Sequence, residues 1–117
     1  MSEVSENFPK TNRVLKRGTF RQVYEKGRKF HTRHFTAFVL ENADGQPRLG
    51  ITATRKMGNS VERNRARRLV REVFRKNKQL VPAGIDIIIN VKRSLAGSGY
   101  QDLESDFMSF LERAGKQ

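Results

Sequence analysis

The residues from Asn59 to Phe74 constrain this chain more than any other stretch, because they spell a helix whose two faces need opposite surroundings. At about 100° per residue, Leu69, Val70, Val73 and Phe74 fall within about 80° of Ala66, whereas Asn64, Arg67, Arg68, Arg71, Arg75 and Lys78 fall between about 100° and 200°. One face must enter a core, and the other must stay in water or meet a polyanion. Asn59 is placed to cap this helix, with Glu62 as the return partner three residues on, and Pro82-Ala83-Gly84 ends the pattern. Like charges at Arg67/Arg71 and Arg71/Arg75 cost a few tenths of a kcal/mol each, a penalty that a neutralising partner removes. A merely solvated face would mix signs, and this one barely does. Arginine also outnumbers lysine here, and its planar fork matches phosphate in two-point geometry and stacks on bases.

The remaining elements are read around that helix. Thr19-Phe20-Arg21-Gln22 matches a capping box, with Phe20, Val23 and Tyr24 on one stripe and Gly27 as the stop, which predicts a short helix. Phe35 to Leu40 is β-rich, and the turn-dense Asn42 to Pro47 leads into Leu49 to Thr54, so these two strands are expected to form an antiparallel hairpin, with Arg28 to Thr32 as a further strand pairing with it. Ile85 to Val91 is almost continuously apolar, as a strand buried on both faces would be. Tyr100, Leu103, Phe107, Phe110 and Leu111 form the stripe of a last helix running to about Ala114. The expected fold is an α/β (α+β) two-layer sandwich with one sheet, in the order α-β-β-β-α-β-α. Residues 1–9 are expected to be a flexible segment and 10–117 a single α/β domain.

With 117 residues the chain suits one small domain with one modest core. Its 24 Lys and Arg against 12 Asp and Glu leave a net charge of +12, which favours a polyanionic partner, nucleic acid first. The surplus is local: residues 10–33 and 55–78 each carry +8, and both blocks are interleaved with apolar residues rather than forming a disordered basic tail. The absence of cysteine rules out disulfides and thiolate metal sites and fits a reducing compartment. Met1 to Pro9 lacks the plan of a secretory signal, and no apolar run approaches the ~20 residues of a membrane span, so a cytoplasmic location without membrane contact is expected.

The run Lys56-Met57-Gly58-Asn59-Ser60-Val61-Glu62-Arg63-Asn64-Arg65-Ala66-Arg67-Arg68-Leu69-Val70-Arg71-Glu72-Val73-Phe74 closely resembles the signature of the bacterial ribonuclease P protein component, whose hallmark is an Arg-Asn-Arg core in a basic helix after a Lys-x-Gly-Asn turn. The resemblance extends to Arg13, Phe20, Val23, Tyr24 and Gly27, to Phe35, Leu49-Gly50 and Arg55-Lys56, and to the strand Gly84 to Ile88, covering residues 12 to 112. It implies a left-handed βαβ crossover through the basic helix, where chirality rules alone favour a right-handed one. It further implies a catalytic RNA partner that cleaves the 5′ leader from precursor tRNA with Mg²⁺, a polypeptide without catalytic side chains, and no required protein partner. Carried over by position, Arg55, Lys56, Asn59, Arg63, Asn64, Arg65, Arg67, Arg68 and Arg71 are expected to bind the catalytic RNA, and Arg13, Phe20, Tyr24 and Phe38 to line a cleft for the single-stranded leader. Stacking on such rings is worth roughly 1 to 3 kcal/mol per base without demanding a sequence, although Phe and Tyr at helical spacing more often fill a core. The acidic Met1 to Pro9 segment and Thr19, where the family usually has an acidic cap, depart from the pattern.

Rival classes fare worse on residue chemistry. A self-sufficient nuclease would need His31 and His34 as base and acid, but residues three apart on a strand point to opposite faces and no carboxylate or lysine is clearly placed with them. Two histidines make a poor metal site, and Asp102 and Asp106 read as solvated residues on the outer face of the last helix. A ribosomal or general RNA-binding protein shares the charge, but general phosphate binding has no use for an asparagine inside a fixed arginine motif. A membrane-surface helix fails because Leu69, Val70, Val73 and Phe74 are needed for the core.

Overall fold

The computed structural model describes residues 17–42 and 45–115. In chain order the elements are α1 (Arg17–Lys26), β1 (Arg28–His31), β2 (Phe35–Glu41), β3 (Arg48–Thr52), α2 (Ser60–Lys76), β4 (Ile85–Val91) and α3 (Tyr100–Gly115), with short 3-10 turns at Lys78–Leu80 and Arg93–Gly97. The expected element order and the single sheet are therefore found. The expected segment 1–9 and the candidate residue Arg13 lie outside the described residues.

The strand order β1-β2-β4-β3 corrects the expected hairpin. Strands β2 and β3 are not neighbours; β4 lies between them, antiparallel to β2 and parallel to β3. The physical reason is burial. Strand β4 is buried along nearly its whole length, and only the middle of the sheet gives it a neighbour on each edge as well as cover on each face. The tight hairpin is instead β1–β2, with Arg28 opposite Val39 and His31 opposite Thr36. Helix α2 therefore connects β3 to its parallel neighbour β4.

Alternation along the strands sorts the side chains into two faces. Phe30, Phe35, Ala37, Val39, Leu49, Ile87 and Ile89 turn toward α2 and α3, where they join Ala66, Val70, Val73, Phe74, Phe107 and Phe110 in the main core. The rings interlock there: Phe110 lies 5.5 Å from Phe30, 6.0 Å from Phe35 and 5.9 Å from Phe107. The opposite face carries a much smaller apolar cluster, Val23 on Ile88 flanked by Phe20, Phe38 and Leu40. One short helix, α1, covers part of that face.

The first helix starts at Arg17, two residues before the expected cap, so Thr19 lies inside it and the anticipated capping box does not form the helix start. Gly27 does end it, for a steric reason: a Cβ there would stand 2.5 Å from the Val23 carbonyl oxygen and 2.8 Å from that of Val39. That close approach lets the chain turn from α1 directly into β1. Between β1 and β2, His34 sits in the turn rather than on a strand. It is 3% exposed, its Nδ1 lies 2.8 Å from Ser94 Oγ, and its backbone N–H donates to Asp106 Oδ2 at 2.8 Å. Asp106 is thus a structural acceptor and not the solvated residue expected, while Asp102 is exposed.

Candidate nucleic-acid interface

Helix α2 starts as its residues dictate. Asn59 Oδ1 accepts from the Glu62 N–H at 2.9 Å and Glu62 Oε1 accepts from the Asn59 N–H at 3.0 Å, a reciprocal cap. Asn59 therefore spends its side chain on the helix. Ala66, Val70, Val73 and Phe74 are buried as expected, and the exposed side presents Asn64 and Arg68, with Arg67 and Arg71 half-buried beside them. Arg55 and Lys56 are exposed in the turn that precedes the helix, closed by the Met57 N–H donating to the Thr54 carbonyl.

The arginines of this helix divide into presented and anchored groups. Arg68 has no partner among the described residues. Arg67 donates to Asn64 Oδ1 at 3.1 Å, which steadies the asparagine of the Arg-Asn-Arg run. Arg65 and Arg63 lie off the main stripe and are tied to backbone: Arg65 donates to the Ser98 carbonyl at 2.6 Å, and Arg63 to the Gly58 carbonyl at 2.8 Å. At the far end of the stripe Arg75 is paired internally with Glu72, to which Lys76 also lies close at 3.6 Å. The hydrogen bond from Arg75 holds the Glu72 carboxyl below the usual carboxylate range against a small opposing effect of burial. Arg75 is thus half-neutralised, and the face available to a polyanion is concentrated in the first three turns. Glu72, at i−3 from Arg75, was the sequence signal for this.

The second site is the sheet face that α1 leaves open. The Tyr24 ring meets Phe38 edge-on with centroids 4.8 Å apart, and Phe20 lies 6.3 Å from Tyr24. Lys29 Nζ lies 5.6 Å from the Phe38 centroid, adding a cation beside the rings. Tyr24 is 37% exposed, and Phe20 and Phe38 are half-buried, so each ring offers one side to the core and one to solvent. The structure thus brings together three of the four expected cleft residues, the fourth being the undescribed Arg13. Lys29 escaped notice because its position depends on the β1–β2 register, which places it opposite Phe38.

Both surfaces are cationic or aromatic, and among the described residues no group of three His, Cys, Asp or Glu side chains is placed to hold a metal ion. No helix among them is long and apolar enough to cross a membrane. The family model for ribonuclease P matches residues 8–115. The chain belongs to the ribonuclease P protein family. A ribonuclease P protein component from Syntrophus aciditrophicus is 45% identical over 94 residues, covering 80% of this chain and 79% of the relative. One from Geotalea uraniireducens is 41% identical over 110 residues, covering 93% and 96%. Solved RNase P proteins agree in fold: one from Thermotoga maritima at TM-score 0.79 and 28% identity over 87% of this chain and 96% of that one, and a Staphylococcus aureus mutant protein at 0.86 and 26% over 98% of each. Members of the family function with an RNA subunit in tRNA 5′ maturation, and this chain is a protein subunit of that kind.

Proposed function

We propose that the two surfaces divide the work: the α2 face with Arg55 and Lys56 binds the catalytic RNA, and the open sheet face holds the single-stranded 5′ leader of precursor tRNA. The observation that carries this reading is the Phe20–Tyr24–Phe38 row, half-exposed on a sheet face that a core-building protein would have covered. Aromatic faces suit unpaired bases of any sequence, whereas a face of arginines suits the phosphates of a folded RNA. Arg63, Arg65 and Asn59 support the α2 surface by shaping the helix and its approach, and Arg68, Arg67, Asn64 and Arg71 present it.

The polypeptide supplies binding and positioning, and the RNA carries out the hydrolysis. Mg²⁺, when bound, supplies charge stabilisation and an activated water at the phosphodiester. Arginine, lysine, amide and ring groups fit phosphates and bases rather than a divalent cation, which assigns the ion to the RNA subunit. The protein contributes by neutralising phosphates that would otherwise repel one another, so less Mg²⁺ is required. The partners are then the catalytic RNA and precursor tRNA, in the cytoplasm where both reside.

Reconstitution tests this directly, with the chain alone, the RNA alone and the two together assayed on precursor tRNA at low and high Mg²⁺. Cleavage at the correct junction is expected for the RNA at high Mg²⁺ and for the pair at low Mg²⁺. Cleavage by the purified chain alone overturns the division of labour.

A further inference from the structure

Beside the aromatic row, the open face of the sheet carries a second row that is polar across all four strands. His31 of β1 pairs with Thr36 of β2, Thr36 with Asn90 of β4, and Asn90 with Thr52 of β3. By alternation these four share the face of Lys29, Phe38 and Ile88, two residues along each strand and therefore about 7 Å from the aromatic row. Asn90 is the position that most needs explaining: it is a polar side chain near the C-terminal end of an otherwise mostly apolar inner strand, flanked by Ile88, Ile89 and Val91. Asp86, the other polar residue of β4, is accounted for, since Arg48 and Asn42 both donate to it at 2.8 Å.

Asn90 is oriented rather than satisfied. The Tyr24 hydroxyl donates to its Oδ1 at 2.8 Å, and that same hydroxyl lies 3.1 Å from Thr52 Oγ1. With the Tyr24 proton directed at Asn90 Oδ1, Thr52 is the donor in the second contact, so the chain runs Thr52 → Tyr24 → Asn90 with the carboxamide oxygen turned toward Tyr24. The Asn90 amide Nδ2 therefore offers two donors, which no described residue accepts, at a half-buried position. Tyr24 thus belongs to both rows: its ring to the platform and its hydroxyl to the amide.

We infer that Asn90, oriented by Tyr24 and Thr52, reads the edge of one nucleobase that lies on the Tyr24–Phe38 platform, donating from Nδ2 to an acceptor atom of the base. This deepens, and rests on, the assignment of the open sheet face to the leader. Stacking alone accepts every base, whereas a fixed donor beside the platform favours bases that present an acceptor to it. Asn90 is then a specificity-determining residue, and Tyr24 and Thr52 position it.

The test uses the holoenzyme reconstituted with the full chain, and precursor tRNAs carrying each of the four bases, an abasic site or a 2′-deoxy sugar at successive leader positions. The wild type is expected to prefer one base over the least favoured by about tenfold in affinity at a single position. Asn90→Asp keeps the acceptor for Tyr24 but removes both donors, and its added charge weakens all leaders alike, so the ratio between bases falls toward one. Tyr24→Phe keeps the ring and loses the orienting hydroxyl, and lowers the same ratio with a smaller loss of overall affinity than Phe38→Ala. A base ratio unchanged in Asn90→Asp, or no base preference in the wild type, overturns the inference. So does a preference that follows the 2′-hydroxyl instead of the base. If Phe38→Ala leaves leader affinity intact, the leader assignment itself fails, and that result is distinct from an unchanged base ratio.

Discussion

Arg65 and Arg68 stand three residues apart in the same basic run, yet they have different roles. Arg68 projects without a partner among the described residues, while Arg65 crosses to the Ser98 carbonyl and joins α2 to the 3-10 turn after β4. Arg68→Ala is therefore expected to weaken assembly with the catalytic RNA and leave the melting temperature within a degree or two, since an exposed charge contributes under ~0.5 kcal/mol to folding. Arg65→Ala lowers both, and thermal melts beside RNA titrations separate the two. The Arg-Asn-Arg run was legible as a motif, but the sequence could not say that Arg65 was anchored, because its acceptors are backbone carbonyls some thirty residues away. Tyr100 illustrates a different contrast. Burial, and then the Glu104 carboxylate that accepts from its hydroxyl, push its phenol up to about 12 from the ordinary 10.0. The folded state thus holds the proton more tightly than the unfolded chain, so this contribution is complete below pH 10 and is lost as pH rises toward 12. In a Tyr24→Phe background Tyr100 is the one tyrosine left, and its phenolate absorbance should appear with a midpoint near 12. A midpoint at the ordinary value refutes this.

Among the elements, α2 was read almost without error because its cap, its stripe and its charges agree with one another. The cap itself is testable: Asn59→Ala removes the acceptor for the Glu62 N–H and should cost about 1 kcal/mol in urea unfolding, whereas Asn59→Asp or Asn59→Ser retains most of it. The first helix was recognised from Phe20, Val23 and Tyr24, but its start was misplaced, since Thr19 offered a plausible cap and nothing local indicated that the helix begins earlier. The expected β2–β3 hairpin failed for a non-local reason. Turn residues between two strands show that the chain reverses, but not that the strands stay adjacent, and β4 inserts between them from more than thirty residues away. The polar row of His31, Thr36, Asn90 and Thr52 was hidden by the same ignorance of register. Each residue looks ordinary in its own strand, and the row exists only once the four strands are ordered.

For the whole molecule, the +12 charge now has an address: a cationic helix on one side of the sheet and a lysine-edged aromatic surface on the other. If about six phosphates are contacted, the logarithm of affinity should fall against the logarithm of salt with a slope near −4 for single-strand-like sites. A titration with a slope near zero removes electrostatics from the account. Fold class, the division into one sheet and three helices, and the basic face were all legible from patterning, because a single small core leaves few ways to bury those stripes.

The place of β4 in the sheet has one more consequence. It alone touches both β2 and β3, yet it comes sixth of the seven main elements, so a growing polypeptide carries two disconnected pieces, a hairpin and an orphan strand, until Ile85 to Val91 has been made. The arginine-rich segment leaves the ribosome before the sheet it packs against is complete. For that interval its charge is displayed by an unfinished protein, and any nearby polynucleotide meets the cations ahead of the architecture that will later hold them in order.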